Sequence, residues 1–218
     1  ASRVVHMKFK SKKILEGMSN LIVELSRVIY IKQSDKWGAI MGIGIIICGL
    51  NGAGKSTLGK ALAEKLNFHF IDNENLYFPK TDPYYLYSSP RTHEEAEKLL
   101  LDEIKEYKNF VLASVKGDYK DADCFFQLAV WLDVPKEIRI QRVKHRSFQK
   151  FGKRMMPGGD LYQQEKGFFD FVESRKESTV EEWLQSLTCP VIRIDGREPV
   201  EVNIQFIVEK MRGFLSSD

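Results

Sequence analysis

The stretch that decides the fold begins with Ile43–Cys48, I-G-I-I-I-C, and continues directly with Gly49–Ser56, G-L-N-G-A-G-K-S. A short apolar run rich in β-branched residues is typical of a strand buried on both faces of a parallel sheet. The second segment is the complete pattern G-x-x-x-x-G-K-S. Leu58, Leu62 and Leu66 then recur every four residues, which predicts an amphipathic helix. A strand, a glycine-rich loop and a helix in this order predict a phosphate-binding loop (P-loop) for a nucleoside triphosphate.

The residue types in the loop fit that chemistry. Its glycines let the backbone curl so that successive N–H groups point at an anion, and the helix N-terminus adds the positive end of its dipole. Lys55 is expected to reach the β- and γ-phosphates of ATP, and the Ser56 hydroxyl to bind Mg²⁺. The predicted nucleotide-binding residues of the loop are Gly49, Asn51, Gly52, Ala53, Gly54, Lys55, Ser56 and Thr57.

Length and composition limit the other possibilities. The chain has 218 residues, 43% of them hydrophobic and 11% aromatic, which suits one folded domain and excludes a disordered chain. Residues 1–40 hold eight basic and three acidic residues, and residues 136–154 hold eight basic residues and one acidic residue. The rest of the chain is acidic. This uneven charge argues against a general nucleic-acid binder and leaves one concentrated cationic segment.

Residues 1–40 are predicted to be an N-terminal extension, followed by a domain over residues 41–218. Apolar residues in the extension recur at helical spacing, which predicts an amphipathic helix that packs on the domain or on a second copy of the chain. A membrane-surface or targeting element is the alternative. Because the chain begins with Ala, part of the extension is expected to be non-native. The apolar positions are Ile14, Met18, Leu21, Leu25 and Val28.

The cysteines and the apolar runs point to the compartment. Cys48, Cys124 and Cys189 are widely spaced and form no C-x-x-C pattern, so neither a zinc site nor a disulfide framework is predicted. No apolar run reaches the roughly 18 residues that a membrane span needs. We therefore expect a protein of the reducing cytoplasm.

Motifs outside the loop separate the classes of P-loop protein. The chain has no N-K-x-D sequence for reading guanine, which argues against a GTPase. It has no L-S-G-G-Q-like segment and no apolar strand that ends in Asp-Glu, which argues against a transporter ATPase. AAA-type ATPases and small kinases share this loop, and the features in the rest of the chain separate these two classes.

Four features follow one another in a characteristic order. The first is a short apolar strand, Phe68–Ile71, and the second is Trp131–Pro135 ahead of an arginine-bearing helix. The third is the basic, glycine-containing segment Phe148–Gly159, and the fourth is Val191–Gly196 ahead of a final helix. With the P-loop, over residues 41–215, they resemble the nucleoside monophosphate kinase and shikimate kinase group, which is adenylate kinase-like.

The resemblance implies an α/β fold. This is the three-layer P-loop NTPase fold, with a five-stranded parallel sheet, helices on both faces and a basic lid at about residues 147–160. Ligands are expected beyond the carboxyl ends of the strands. The strands are expected near residues 43–48, 68–71, 109–114, 127–132 and 190–194.

The resemblance also implies roles for acidic residues. Asp72, at the end of the second strand, would serve Mg²⁺ together with Ser56, and Glu74 would accept or orient the proton of the acceptor hydroxyl. Asp133 is a rival for the metal because it also follows an apolar strand.

Phosphoryl transfer needs cations around the transferring group. Arg142 and Arg146 lie four residues apart on one helix face, and the resemblance makes one of them the catalytic arginine. Gly196 and Arg197 resemble the loop that holds the adenine. The lid candidates are Arg146, Lys150, Lys153 and Arg154.

The acceptor site has the weakest signature. Residues 114–118, S-V-K-G-D, match neither the D-G-F-P-R of adenylate kinases nor the triple glycine of shikimate kinases. Arg91, Lys116 and Arg154 are the expected contacts to an anionic acceptor. One further group of residues either stacks on an acceptor ring or forms a packed aromatic cluster. It consists of Tyr84, Tyr85 and Tyr87.

The sequence thus predicts an ATP- and Mg²⁺-dependent phosphotransferase that acts on a hydroxyl or phosphate acceptor. Two alternatives stay open at this point. One is a nucleotide-binding regulatory module without transfer activity, and the other is a polynucleotide kinase or nucleic-acid-binding ATPase. The expected partner is a small molecule, and the N-terminal helix is compatible with an oligomer.

Overall fold

The computed structural model describes residues 42–119 and 122–215, so the predicted N-terminal helix lies outside the described residues. The strands are β1 (Gly44–Cys48), β2 (His69–Asp72), β3 (Phe110–Ala113), β4 (Phe126–Asp133) and β5 (Val191–Asp195). The helices are α1 (Lys55–Leu66), α2 (Asn73–Tyr77), α3 (His93–Tyr107), α4 (Lys136–Phe151), α5 (Tyr162–Ser174), α6 (Ser178–Ser186) and α7 (Val200–Leu215), with short 3₁₀ helices at Asp123–Phe125 and Gly152–Met155.

The five strands form one parallel sheet in the order β2-β3-β1-β4-β5. The P-loop strand β1 lies in the centre, where Ile45 pairs with Val111 of β3 and with Leu128 of β4. Each strand begins and ends within one residue of its predicted position. The predicted α/β fold with a five-stranded parallel sheet is therefore confirmed.

The two faces of the sheet bury alternate side chains of β1. Ile45 and Ile47 belong to a core shared with α1 and α7, whereas Ile46 and Cys48 belong to a core shared with α3 and α6. All four are fully buried, and each isoleucine contributes roughly 1.5–3 kcal/mol through burial. Helices therefore cover both faces, which explains why β1 is apolar at every position after its glycine.

The sheet order creates the site. The chain leaves β1 towards β2 on one side of the sheet, and β4 pairs with β1 on the other side. In parallel sheets, a crevice opens beyond the carboxyl ends of the strands at the point where the strand order changes direction. Here that point is at β1, and the loops after β1, β2 and β3 surround the crevice. Within the described ranges, every helix is too short or too polar to cross a membrane.

The segment predicted as a lid, residues 147–160, is built from three pieces. α4 continues to Phe151, the 3₁₀ helix Gly152–Met155 follows, and a turn leads into α5. Within this turn Arg154 pairs with Asp160, with 2.6 Å between Nη2 and Oδ2. An ion pair within the segment thus holds its turn together, and the action of the segment as a lid stays a prediction.

Candidate active site

The P-loop leaves β1 and turns back on itself before α1. Gly52 has a φ of +84°, and a Cβ there would lie 2.3 Å from the carbonyl oxygen of Arg139. Gly54, with a φ of +103°, caps α1, and because it has no side chain it gives the first N–H groups of that helix no capping hydrogen bond. These N–H groups are therefore open to an anion.

Two arginines of α4 hold the outer side of the loop. Buried Arg139 donates from Nη1 to the carbonyl oxygen of Asn51 at 3.4 Å. Arg142 donates from Nη1 to the carbonyl oxygen of Ala53, also at 3.4 Å, and reaches Gly196 O at the same distance. These contacts give two carbonyl oxygens of the loop a donor each and hold the loop against α4.

A cavity of about 550 Å³ lies beyond the carboxyl ends of β1, β2 and β3. It joins residues that are far apart in sequence, from the P-loop, from the ends of β2 and β3, and from α4. The predicted site residues that line it are Asn51, Gly52, Lys55, Ser56, Asp72, Glu74, Lys116 and Arg146.

Lys55 lies at the P-loop end of the cavity. Its ammonium group donates to the carbonyl oxygen of Leu50 at 3.2 Å. Burial lowers the pKa of Lys55 to about 8, although the negative charge of Asp72 raises it, and the positive charge of Arg146 lowers it further. The ammonium group of Lys55 is thus shielded from water, with the charges of Asp72 and Arg146 close enough to act on it.

The two aspartates that are candidates for binding Mg²⁺ lie in different places. Asp72 lines the cavity with Ser56, and its Oδ1 accepts a hydrogen bond from the backbone N–H of Glu74 at 3.0 Å. Asp133 lies in a separate groove, where Oδ2 is 2.7 Å from Nη2 of Arg193. Asp72 is therefore the acid that the fold places beside the P-loop hydroxyl.

Glu74 lies on the acceptor side of the cavity with two partners. Its Oε1 is 2.9 Å from Nζ of Lys80 and accepts a hydrogen bond from the hydroxyl of Tyr87 at 3.3 Å. Burial raises the pKa of Glu74, but the hydrogen bond and charge of Lys80, with the charges of Arg146 and Lys150, outweigh it and hold that pKa below its usual value. Glu74 is thus a carboxylate at neutral pH.

Aromatic side chains form one wall of the acceptor side. The rings of Tyr85 and Tyr87 lie 5.6 Å and 6.4 Å from that of Phe151 at the end of α4. Lys150 contacts the hydroxyl of Tyr87 and lies 4.7 Å from its ring centre. Tyr85 and Tyr87 are therefore both a packed cluster and part of the cavity lining, whereas Tyr84 is 77% exposed and belongs to neither.

One face of α5 completes the cavity, and the sequence reasoning missed it. Glu165 is 1% exposed and accepts a hydrogen bond from the hydroxyl of Tyr85 at 3.1 Å. Arg175, just after α5, donates to Oδ1 of Asn51 at 2.9 Å. The signal is the helical spacing of the residues that line the cavity from this segment, which are Glu165, Phe168, Phe171 and Arg175.

Three predicted arginines lie away from the cavity lining. Arg142 is at the outer rim of the P-loop, so of the two proposed catalytic arginines the structure brings Arg146 to the cavity. Arg91 donates to the carbonyl oxygens of Leu76 and Asn75, at 2.8 and 3.1 Å. Arg154 is engaged with an aspartate in its own turn. In this conformation local oxygens take the guanidinium groups of Arg91 and Arg154, and their contacts to the acceptor stay a prediction.

The predicted adenine loop lies at the edge of the P-loop and outside the cavity. The N–H of Gly196 donates to the carbonyl oxygen of Asp133 at 2.7 Å, and a Cβ at this glycine would lie 2.5 Å from a methyl group of Val134. Arg197 is paired with Asp195 at 2.6 Å in an exposed groove. Thr57 is exposed on the first turn of α1 and does not line the cavity.

Comparisons with known proteins agree with this architecture. A family model described as AAA domain matches residues 45–154. The chain is 30% identical over 183 residues to the uncharacterized protein YqaC of Bacillus subtilis (strain 168), covering 80% of this chain and 98% of that protein. It is 29% identical over 120 residues to the shikimate kinase of Microcystis aeruginosa (strain NIES-843 / IAM M-2473), covering 51% of this chain and 63% of that protein.

Among solved structures, the shikimate kinase of Bacteroides thetaiotaomicron aligns with a TM-score of 0.49 and 21% identity, over 78% of this chain and 98% of that one. The chain spans less than two thirds of the length of the Microcystis shikimate kinase but nearly all of the Bacillus subtilis relative. The similarity to shikimate kinases supports the resemblance to the nucleoside monophosphate kinase and shikimate kinase group that the sequence predicts. By the extent of the family match and of the full-length relative, the chain belongs to the AAA domain family of P-loop proteins.

Proposed function

We propose that the protein is a cytoplasmic, ATP-dependent phosphotransferase that moves the γ-phosphoryl group to a hydroxyl or phosphate oxygen of a small molecule. One observation carries the proposal. A single cavity is lined by Lys55 and Ser56 of the P-loop at one end and by the carboxylate of Glu74 beside an aromatic wall at the other. Curated relatives that carry the name shikimate kinase support the same reaction class.

The nucleotide is proposed to bind at the P-loop end. Backbone N–H groups of the loop and the start of α1 would face the phosphates, and a phosphate beside Lys55 would favour its charged form. The adenine would lie near Gly196 and Arg197, where Arg142 already spans from the P-loop to the carbonyl oxygen of Gly196. Arg142 would then contribute to nucleotide binding.

The oxygen atoms near the phosphates fit Mg²⁺. Ser56 offers a hydroxyl and Asp72 a carboxylate, and among residues 42–119 and 122–215 no cluster of three or more His, Cys, Asp or Glu side chains is arranged to hold a metal. Mg²⁺ is commonly held by one or two protein oxygens together with phosphate oxygens and water. Ser56 and Asp72 would hold it here, and when bound it would neutralise charge on the phosphates.

The remaining groups are proposed to act on the transfer itself. The acceptor oxygen forms a bond to the γ-phosphorus while the bond from that phosphorus to the bridging oxygen breaks, and ADP leaves with the electron pair. Glu74 holds the acceptor hydroxyl by a hydrogen bond and takes its proton as the new bond forms. Arg146 and Arg175, both on the cavity lining, stabilise the negative charge spread over the transferring group.

The test is a screen for ADP release with nucleosides, nucleoside monophosphates and sugar acids as acceptors. Lys55→Ala is expected to lower kcat/KM at least about 100-fold, because the phosphates lose their charged partner. Lys60→Ala, on an exposed position of the same helix, is the matched control and should keep full activity. Full transfer by folded Lys55→Ala would overturn the proposal, and ATP binding without transfer to any acceptor would favour a regulatory module.

A further inference from the structure

The acceptor side of the cavity contains a carboxylate that the proposed reaction does not use. Glu165 is 1% exposed and lines the cavity from α5. Its Oε1 accepts a hydrogen bond from the hydroxyl of Tyr85 at 3.1 Å. Its Oε2 is buried and has no hydrogen-bond partner among the described residues. A polar atom of this kind needs an explanation, since buried carboxylate oxygens are rarely left without a donor.

The neighbouring carboxylate shows the difference. Glu74, in the same cavity, has both Lys80 and the hydroxyl of Tyr87 within hydrogen-bond distance. Lys150 also lines the cavity, but its ammonium group contacts the hydroxyl and the ring of Tyr87. The carboxylate of Glu74 therefore has its partners within the protein, whereas Oε2 of Glu165 is left for a hydrogen-bond donor on a ligand that enters the cavity.

The surroundings of Glu165 define what can enter. Phe168 and Phe171 line the cavity from the same helix, and Tyr85 and Phe151 line it from the aromatic wall. Such a site favours a flat ring, because aromatic faces and edges pack well against one another. A ligand carboxylate at this point would be repelled by Glu165, whereas a ring N–H or amino group would supply the missing donor.

We propose that Glu165 selects the acceptor by accepting a hydrogen bond at Oε2 from an N–H group on a flat heterocyclic ring of that acceptor. The inference rests on the proposed function, because it places the ring at Glu165 and the reacting oxygen at Glu74. Tyr85 is the positioning residue, since its hydroxyl fixes Oε1 and leaves Oε2 without a partner among the described residues. The favoured acceptor is a nucleoside-like compound with an amino-bearing base, and sugar acids are disfavoured.

Matched acceptors and matched variants test this. Adenosine and purine riboside differ by one exocyclic amino group, and gluconate represents the sugar acids. Each is offered with ATP to wild-type protein, Glu165→Gln, Glu165→Leu and the control Glu173→Gln. Glu173 lies on the same helix but at the surface, where it pairs with Lys144 at 2.9 Å. ADP release gives kcat and KM for the acceptor and for ATP separately.

We expect the wild-type protein to use adenosine at least about 100-fold better than purine riboside or gluconate, because a site built to bind a donor rejects the analogue that lacks it. Glu165→Leu should lower kcat/KM for adenosine about 100-fold and erase the preference for the amino group. The KM for ATP should change less than about 2-fold, and Glu173→Gln should match the wild type. A purely structural role would instead change both substrates together.

The inference is overturned if substitution of Glu165 leaves the ranking of acceptors unchanged, or if gluconate is preferred. Should Glu165→Leu fail to fold, Glu165→Gln keeps the shape of the side chain and gives the same comparison. If no compound is phosphorylated, the proposed function fails separately, and calorimetric binding of adenosine to the ATP-loaded protein then decides the role of Glu165. Equal adenosine binding by wild-type protein and Glu165→Leu, which has no hydrogen-bond acceptor, would contradict it.

Discussion

The nucleotide end and the acceptor end of the cavity are built on different principles. The proposed nucleotide end comes from one continuous segment, Gly49–Ser56, between β1 and α1, and we propose that mostly backbone N–H groups bind the phosphates there. The acceptor end is assembled from side chains on several elements, such as Glu74 after β2, Lys150 on α4 and Glu165 on α5. A backbone-built site serves any triphosphate, whereas a side-chain-built site changes its ligand with single substitutions.

The largest expected effect tests how rigidly the nucleotide end is supported. Cys48 ends β1 under the P-loop, is fully buried, and has its pKa raised to about 12 by burial. At pH 8 its reactive thiolate is about 1000-fold scarcer than that of an ordinary cysteine with a pKa near 8.5. We expect alkylation at pH 8, followed by peptide mass spectrometry, to label exposed Cys124 at least about 1000-fold faster.

Unfolding in guanidinium chloride is the control for that measurement. It should bring Cys48, Cys124 and Cys189 to similar rates, because the burial that separates them is lost. Equal labelling of Cys48 and Cys124 in the native protein would mean that the strand beneath the P-loop opens freely, and the contrast between the two ends of the cavity would fail.

The second prediction separates two arginines one helical turn apart. Arg146 lines the cavity, so Arg146→Ala should lower kcat by about 10²–10³-fold with little change in the KM for ATP. Arg142 supports the rim of the P-loop, so Arg142→Ala should mainly raise the KM for ATP. Steady-state kinetics with the acceptor found in the screen measure both. A loss of kcat in Arg142→Ala and a raised KM for ATP in Arg146→Ala would instead indicate that the transferring phosphoryl group lies at the rim of the P-loop.

The third prediction tests the backbone of the nucleotide end directly. Gly52→Ala puts a Cβ against the carbonyl of Arg139 at a positive φ, and ATP affinity measured by calorimetry should fall about 100-fold. Gly167→Ala is the matched control, because no atom lies within 4 Å of a Cβ built there and α5 gains a better helix former. Unchanged ATP affinity in folded Gly52→Ala would show that the loop does not depend on this glycine.

The two ends also differ in how far the sequence predicts them. Gly52 and Lys55 are recognisable because their spacing is local, and the strands are recognisable because runs such as Ile45–Cys48 are buried on both faces. The choice between Arg142 and Arg146 depends on how α4 docks against the P-loop, and helical periodicity does not specify this. Both arginines share a face, yet one reaches the rim and the other the cavity.

Acceptor-binding residues are harder to predict from the sequence, because the charge of a side chain does not tell whether it binds a ligand or a neighbouring protein group. Arg91 and Arg154 have the right chemistry for an anion, but neighbouring carbonyl and carboxylate oxygens take their guanidinium groups. Glu165 lies on α5 and Arg175 directly after it, and the spaced phenylalanines of that helix indicate an ordinary packing face. Helical spacing is the signal that the sequence carries here, but it does not distinguish the contact between α5 and the aromatic wall from ordinary packing.

The smallest expected effect concerns that wall. The hydroxyl of Tyr87 donates a hydrogen bond to Glu74 and contacts Lys150. Tyr87→Phe keeps the ring but removes the hydrogen bond between the aromatic wall and the carboxylate of Glu74. Losing one hydrogen bond to a charged group costs about 1.5–3 kcal/mol when the group stays buried and less when water replaces the donor. Because Lys80 still holds Glu74, we expect the KM for the acceptor to rise only about 5-fold. Tyr84→Phe, at the exposed tyrosine of the same loop, should leave both kcat and KM unchanged. If the two variants behave alike, the wall acts through its rings alone, and the acceptor end owes its selectivity to α5 and not to the loop.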